Sequence, residues 1–210
     1  MLNQAIQEYA TKIKIPFLVH FTRVENLPSI MKYGLYPISR IPEIGVVPKI
    51  TDEQRLDGHL DGISLSIAFP NYKMFFKYRE REKGEWVILV IHPQTLWLKR
   101  CAFCKHNAAD SRIISQPIKQ LMTLQAFSNM YEEIEGIPSR KEQMLKSFDP
   151  TDSQAEVLVF DIINPNLIIG AAFQDTTNIG KYRHLFGNRK ILIYPEGKGF
   201  YASRPYMRKE

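Results

Sequence analysis

Glu156 is the residue of this chain best suited to acid–base or electrostatic work. It heads an otherwise apolar stretch, Gln154-Ala155-Glu156-Val157-Leu158-Val159-Phe160. Strand alternation puts Ala155, Val157 and Val159 on one face and Glu156, Leu158 and Phe160 on the other. A half-buried carboxylate costs free energy unless it is partnered. Glu156 is therefore either a strand-end acid that reaches solvent or a catalytic carboxylate at a sheet rim. His20 and Thr22 repeat the pattern, sharing one face of a strand whose other face is Phe17, Val19 and Phe21. Ser64 and Ser66 share a face of a third strand. Each group alone reads as structural. Three strands that each turn polar groups to one side could together line a cleft for a polar ligand.

Arg55 lies in Asp52-Glu53-Gln54-Arg55-Leu56-Asp57-Gly58. It is either a surface arginine paired with its acidic neighbours or a guanidinium clamp for phosphate or carboxylate. The segment Asn71-Tyr72-Lys73-Met74-Phe75-Phe76-Lys77-Tyr78-Arg79 interleaves aromatic and basic residues. On a helix it is either a core aromatic stripe with solvated lysines or a stacking platform beside phosphate contacts. Lys73, Lys77, Arg79, Arg140, Lys141 and Lys146 are candidate contacts to a nucleic acid. Cys101 and Cys104 have metal-like spacing, but a structural zinc needs four ligands and no second cysteine pair exists. No metal is expected. The glycine-rich phosphate loops, zinc-protease and serine-hydrolase signatures are absent.

The elements that must position these residues follow from periodicity. Residues 2–13 read as an amphipathic helix ended by Pro16, and Phe17 to Thr22 as a strand. Leu27 to Tyr33 is a short helix, with Pro28 in its first turn and Gly34 as its stop. Residues 35–61 are irregular and long enough to suggest a functional loop. Strands are predicted at Ile63 to Ala68, Trp86 to Ile91, Ala155 to Phe160, Leu167 to Ala172 and Ile191 to Tyr194. Helices are predicted at Asn71 to Arg81, over 117–134 and at Asn178 to Phe186. The mixture is α+β, without regular βα alternation, and reads as one domain over 1–210.

The chain has 210 residues, 44% hydrophobic and 24% charged, which is globular usage and excludes disorder over most of its length. Its longest apolar run, Trp86 to Ile91, is far short of a membrane span. The N-terminus shows no basic stretch followed by an apolar core, and there are two cysteines. The expectation is a cytoplasmic protein with no membrane partner. A net charge of +6 favours a polyanionic partner but fits plain solubility as well.

Taken in order, several segments resemble the DarT family, bacterial toxins that ADP-ribosylate DNA. They are His20-Phe21-Thr22 with Asn26-Leu27-Pro28-Ser29-Ile30 and Gly34-Leu35; Arg55-Leu56-Asp57-Gly58-His59; Ile63-Ser64-Leu65-Ser66 with Pro70-Asn71-Tyr72-Lys73-Met74-Phe75; Cys101-Ala102-Phe103-Cys104 with Asn107-Ala108-Ala109; and Asp149-Pro150-Thr151-Asp152-Ser153-Gln154-Ala155-Glu156-Val157-Leu158-Val159. The resemblance implies an ADP-ribosyltransferase fold, with two small splayed sheets around an NAD cleft and flanking helices. It implies NAD⁺ as a consumed co-substrate and no other cofactor. The target would be a base of single-stranded DNA, thymine in one branch and guanine in another, and the partner a DarG-like macrodomain antitoxin. Carried over by motif, Glu156 and Arg55 would be catalytic. His20, Phe21, Thr22, Asn26, Ser29, Arg55 and Tyr72 would bind NAD⁺, under a loop around 41–58. Residues 110–155 would read DNA. The competing expectations are transfer to RNA or protein, and a non-catalytic nucleic-acid-binding module on the same fold.

Overall fold

A computed structural model describes residues 3–50 and 55–209. Leu2 of the predicted first helix and residues 52–54 beside Arg55 lie outside the described residues. The strands are β1 (Leu18–Arg23), β2 (Ile63–Ile67), β3 (Trp86–Ile91), β4 (Cys101–Cys104), β5 (Glu156–Val159), β6 (Ile168–Phe173) and β7 (Lys190–Ile193). They hydrogen-bond in the order β4-β5-β2-β1-β3-β6-β7. Every neighbour pair is antiparallel except β6 and β7, which are parallel. A parallel pair needs a crossover, and the helix Thr176–Phe186 supplies it.

The sheet is pinched at its centre. β1 pairs with β3 along all six of its residues, from Leu18↔Ile91 to Arg23↔Trp86. Its pairing with β2 stops after Leu18↔Ile67 and Val19↔Ser66. Where His20 would next face Leu65, the ladder opens, and His20 Nδ1 instead meets the Ser64 carbonyl at 2.9 Å. The two splayed sheets expected from the resemblance are thus halves of one seven-stranded sheet, β4-β5-β2 and β1-β3-β6-β7. Their divergence opens a cleft.

The helices are α1 (Gln4–Lys12), α2 (Leu27–Tyr33), α3 (Tyr72–Arg81), α4 (Thr95–Leu98), α5 (Ser111–Ile114), α6 (Ile118–Leu121), α7 (Leu124–Asn129), α8 (Thr176–Phe186) and α9 (Arg204–Lys209). Side-chain caps explain several starts. Asn3 caps α1, Asn71 caps α3 and Asp175 caps α8. The single helix predicted over 117–134 is broken in two. Thr123 Oγ1 accepts from Ala126 N at 3.1 Å and so starts α7 afresh, with residues 122 and 123 outside helix. Strand β4 and the helices α4, α5 and α9 were not predicted.

Alternation along the strands feeds separate cores. Leu18, Leu89, Val157 and Phe173 pack into the largest, with Phe127 of α7. Val19, Ile88 and Ala172 face a second, with Phe75 of α3, Trp86 and Tyr201. Ala102, Cys104 and Leu158 form a third with α5 and α6. β3 is buried on both sides, which accounts for its unbroken apolar run. Gly34 closes α2 at φ +101°, and a Cβ there would lie 2.4 Å from the Ile163 carbonyl oxygen. Only glycine fits, and the chain then bridges Leu35 to Ile163 before entering the long loop. Among the described residues no helix is long and apolar enough to cross a membrane.

Candidate active site

Between the two half-sheets lies a cavity of about 620 Å³. β1, α2 and the turn between them contribute His20, Phe21, Thr22, Asn26 and Ser29 to its wall. The long loop contributes Arg55 and Asp57, β2 contributes Ser64 and Ser66, and β5 contributes Glu156.

Glu156 is the first residue of β5 and only 5% exposed. Cys104 pairs with it across β4–β5, so the chain leaving β4 turns over the carboxylate. Asn107 Nδ2 donates to Oε1 at 2.9 Å, and the Ala108 backbone N–H donates to Oε2 at 3.3 Å. That turn is itself locked. His106 Nδ1 lies 2.7 Å from Asp152 Oδ2, and both residues are buried. Asn71 also lines the cleft and is buried beside Glu156. Burial pushes the Glu156 carboxyl up to about 7. The Ala108 N–H opposes this, the Asp57 charge adds to it, and the Arg55 charge and the Asn71 amide pull it down. A carboxyl poised there exchanges a proton at neutral pH.

Arg55 is buried, with φ +37°. Its guanidinium grips Asp57 with two bonds, Nε to Oδ1 at 3.0 Å and Nη2 to Oδ2 at 2.7 Å. Nη1 donates to the Gly62 carbonyl at 2.8 Å. Burial works to raise the Asp57 carboxyl, but the guanidinium outweighs it and holds it below its usual value. The arginine is paired with an acidic neighbour, as one expectation had it, yet the pair is buried in the cleft rather than on the surface.

Burial and the Arg55 charge hold His20 below the ordinary histidine range, against the bond to Ser64. A neutral ring bonded to a carbonyl carries its proton on Nδ1, which leaves Nε2 as an acceptor. Asn26 links the cleft wall to the loop. Its Nδ2 donates to Thr22 Oγ1 at 3.0 Å and to the Lys49 carbonyl at 2.9 Å, and its Oδ1 accepts from Lys49 N at 2.8 Å. Ser29 Oγ spends its proton on the Asn26 carbonyl. Phe21 stacks on Phe75 at 4.9 Å between centroids. Tyr72 packs on the second core and is not among the residues lining the cleft, whereas Lys73, Met74, Lys77, Tyr78 and Arg81 of the same helix are.

Sequence reading alone did not single out Asn107, the Ala108 N–H, Asp57 or the His106–Asp152 pair. Asn107 and Asp57 stood inside quoted motifs, one beside the cysteine pair and one two residues past Arg55. Cys101 and Cys104 are buried thiols on opposite faces of β4, one in the first core and one in the third. Burial raises both thiol pKa values well above the ordinary range. Among the described residues no group of three or more His, Cys, Asp or Glu side chains is placed to hold a metal ion.

The fold and a buried carboxylate–arginine cleft define an ADP-ribosyltransferase-like protein. A family model described as "ssDNA thymidine ADP-ribosyltransferase, DarT" matches residues 19–201. The chain belongs to the DarT family. The members of that family are described as ssDNA thymidine ADP-ribosyltransferases, a reaction class that draws ADP-ribose from NAD⁺. Solved structures share the fold. Thermus sp. 2.9 DarT in complex with ADP-ribosylated ssDNA has a TM-score of 0.59 at 15% identity, over 89% of this chain and 97% of that one. The same Thermus protein in complex with NAD⁺ gives 0.55 at 15% identity, over 89% and 98%. Thermosipho africanus DarTG in complex with ADP-ribose gives 0.57 at 17% identity, over 88% of this chain. This chain spans half the length of that Thermosipho protein. No curated protein sequence matches significantly.

Proposed function

We propose that the cleft binds NAD⁺ with its nicotinamide riboside end between β1 and Glu156, and that Glu156 and Arg55 act as a unit to pass ADP-ribose to a thymine in single-stranded DNA. The observation that carries this reading is the buried Glu156 carboxylate, fixed by two donors and within the field of Arg55. His20 Nε2 and Thr22 face the same end and suit hydroxyls of the ribose. The loop clasped by Asn26 covers the dinucleotide.

When the nicotinamide–ribose bond breaks, the bonding electrons leave with the nicotinamide nitrogen and positive charge develops on the ribose carbon. A fixed carboxylate in a dry cleft stabilises that charge better than water does, because it needs no reorganisation. A thymine ring nitrogen attacks well only once it has lost its proton. Glu156 accepts that proton, directly or through Arg55, as the new carbon–nitrogen bond forms. Arg55 polarises the base and orients it, since a guanidinium is not an ordinary base near neutral pH. The partner that reverses or restrains this activity is an antitoxin of the DarG type with a macrodomain, a reading supported by the Thermosipho relative's name and its extra length.

Mass spectrometry of short single-stranded DNA incubated with protein and NAD⁺ tests the proposal, with Glu156→Ala in parallel. The expected result is one added ADP-ribose on thymine-containing strands with wild type alone. Equal labelling by Glu156→Ala, or labelling of RNA or protein but not DNA, overturns it.

A further inference from the structure

Helix α3 leads away from the reaction centre. Its cap, Asn71, stands beside Glu156, and Lys73, Lys77 and Arg81 follow at intervals of four residues. Residues so spaced share one helix face, and all three line the cleft and are exposed. Among the described residues none of them has a carboxylate partner. Two other candidate basic residues are differently used. Arg79 is bound to Glu196 and lies over the rings of Phe75 and Tyr201. Arg140 is spent on the carbonyls of Asp149 and Lys146 and on Thr151 Oγ1. The helix cannot roll to hide its cations, because Phe75 is buried against Phe21 and Trp86.

We propose that Lys73, Lys77 and Arg81 form a rail for the sugar–phosphate backbone of the single-stranded DNA that carries the target base. The inference rests on the transfer reaction proposed above and assigns the strand its path. The three cations span about 12 Å of helix axis at about 6 Å intervals. NAD⁺ concentrates its charge in one diphosphate, which one or two neighbouring cations neutralise. An evenly repeated row of three fits a ligand whose charge also repeats, and an extended single strand presents one phosphate per nucleotide. Met74 and Tyr78 line the cleft between the cations, and they add a thioether and an aromatic ring beside the bases.

The test is fluorescence anisotropy of a labelled oligothymidine over a salt series. Wild type is compared with the triple variant K73Q/K77Q/R81Q and with K12Q/K14Q/K119Q, which removes the same charge away from the cleft. The expected result is binding roughly tenfold weaker or more for the rail variant at low salt. Its slope of log affinity against log salt should be shallower by about 2, as loss of three single-strand phosphate contacts requires. The control variant keeps the wild-type slope. In turnover, KM for DNA rises and KM for NAD⁺ does not. A wild-type slope in the rail variant overturns the proposal, and so does a rise in KM for NAD⁺ with DNA affinity intact, which would assign the row to the diphosphate. Binding is read without chemistry. Rail-dependent affinity with no adduct therefore leaves the rail standing and removes the transfer reading. Adducts formed by the rail variant with a wild-type KM for DNA do the reverse.

Discussion

Glu156 and Arg55 reach the cleft by different routes. Glu156 sits at a strand end, and its donors come from residues 107 and 108, about fifty positions earlier in the chain. Those donors are held in turn by the buried His106–Asp152 contact. Arg55 comes from a loop, and its partners, Asp57 and Gly62, lie within seven residues of it. One group is placed by the folding of the whole sheet, the other by a local knot. Small regions held by few long-range contacts open at lower free energy than the core does. The carboxylate is thus held by the frame of the fold, and the arginine by contacts within its own loop.

The largest expected effect is at Glu156. Glu156→Gln should lower kcat by about 10³-fold or more, since it removes the charge that stabilises the transition state. Stability should move the other way. The folded-state pKa is raised from 4.5 to about 7, so this group's contribution is complete below about 4.5 and lost as pH rises through about 7. The shift corresponds to about 3 kcal/mol. Calorimetry should find Glu156→Gln more stable than wild type at pH 8, with the gap narrowing towards pH 5. A gap that does not vary with pH would show that the carboxylate is not strained by burial.

Arg55→Ala should cost about 10²-fold in kcat, the scale of a lost orienting contact. It strands the buried Asp57 charge, yet the damage stays inside the loop. The melting temperature should fall little, and Arg55→Ala/Asp57→Asn should recover what is lost without recovering activity. Global destabilisation of the single variant as large as that of a core truncation would erase the distinction between the two banks.

The same contrast governs how far the sequence could be read. Glu156, His20 and Thr22 stood out because a polar residue inside a period-two apolar pattern is a local signal. The strands carrying them were legible for that reason, as was α2 with its proline and glycine. The break before α7 was hidden, since Thr123 caps a helix inside a run whose apolar spacing continues past it. β4 was hidden because four residues make too short a pattern and the cysteines drew attention to metal. Asn107 and Ala108 meet Glu156 only through the β4–β5 register, which no local pattern reveals. The pinch between β1 and β2 that creates the cleft is likewise a property of pairing, not of either strand alone.

Asn26 joins the frame to the loop, since it bonds Thr22 on the frame and both the N–H and the carbonyl of Lys49 on the loop. Asn26→Ala should raise KM for NAD⁺ roughly tenfold, the value of one or two hydrogen bonds. Because the reacting groups stay in place, kcat should change less. Faster amide exchange across residues 45–50 should accompany it. Unchanged KM would mean that loop closure does not use this clasp.

The smallest effect sharpens the account of the carboxylate bank. Asn107 donates to Glu156 Oε1, a bond that favours the charged form. Asn107→Ala removes it and leaves the Ala108 N–H in place. The free enzyme's kcat/KM should rise with pH through a limb near 7 in wild type, because Glu156 must be ionised to act. In Asn107→Ala that limb should move upward by about half a unit to one unit. At pH 8.5, above both limbs, the variant should approach wild-type kcat/KM, since the carboxylate is then charged in either protein. A deficit that persists at high pH would show that Asn107 fixes the carboxylate's position as well as its charge, and the bank would then depend on that one amide for its geometry.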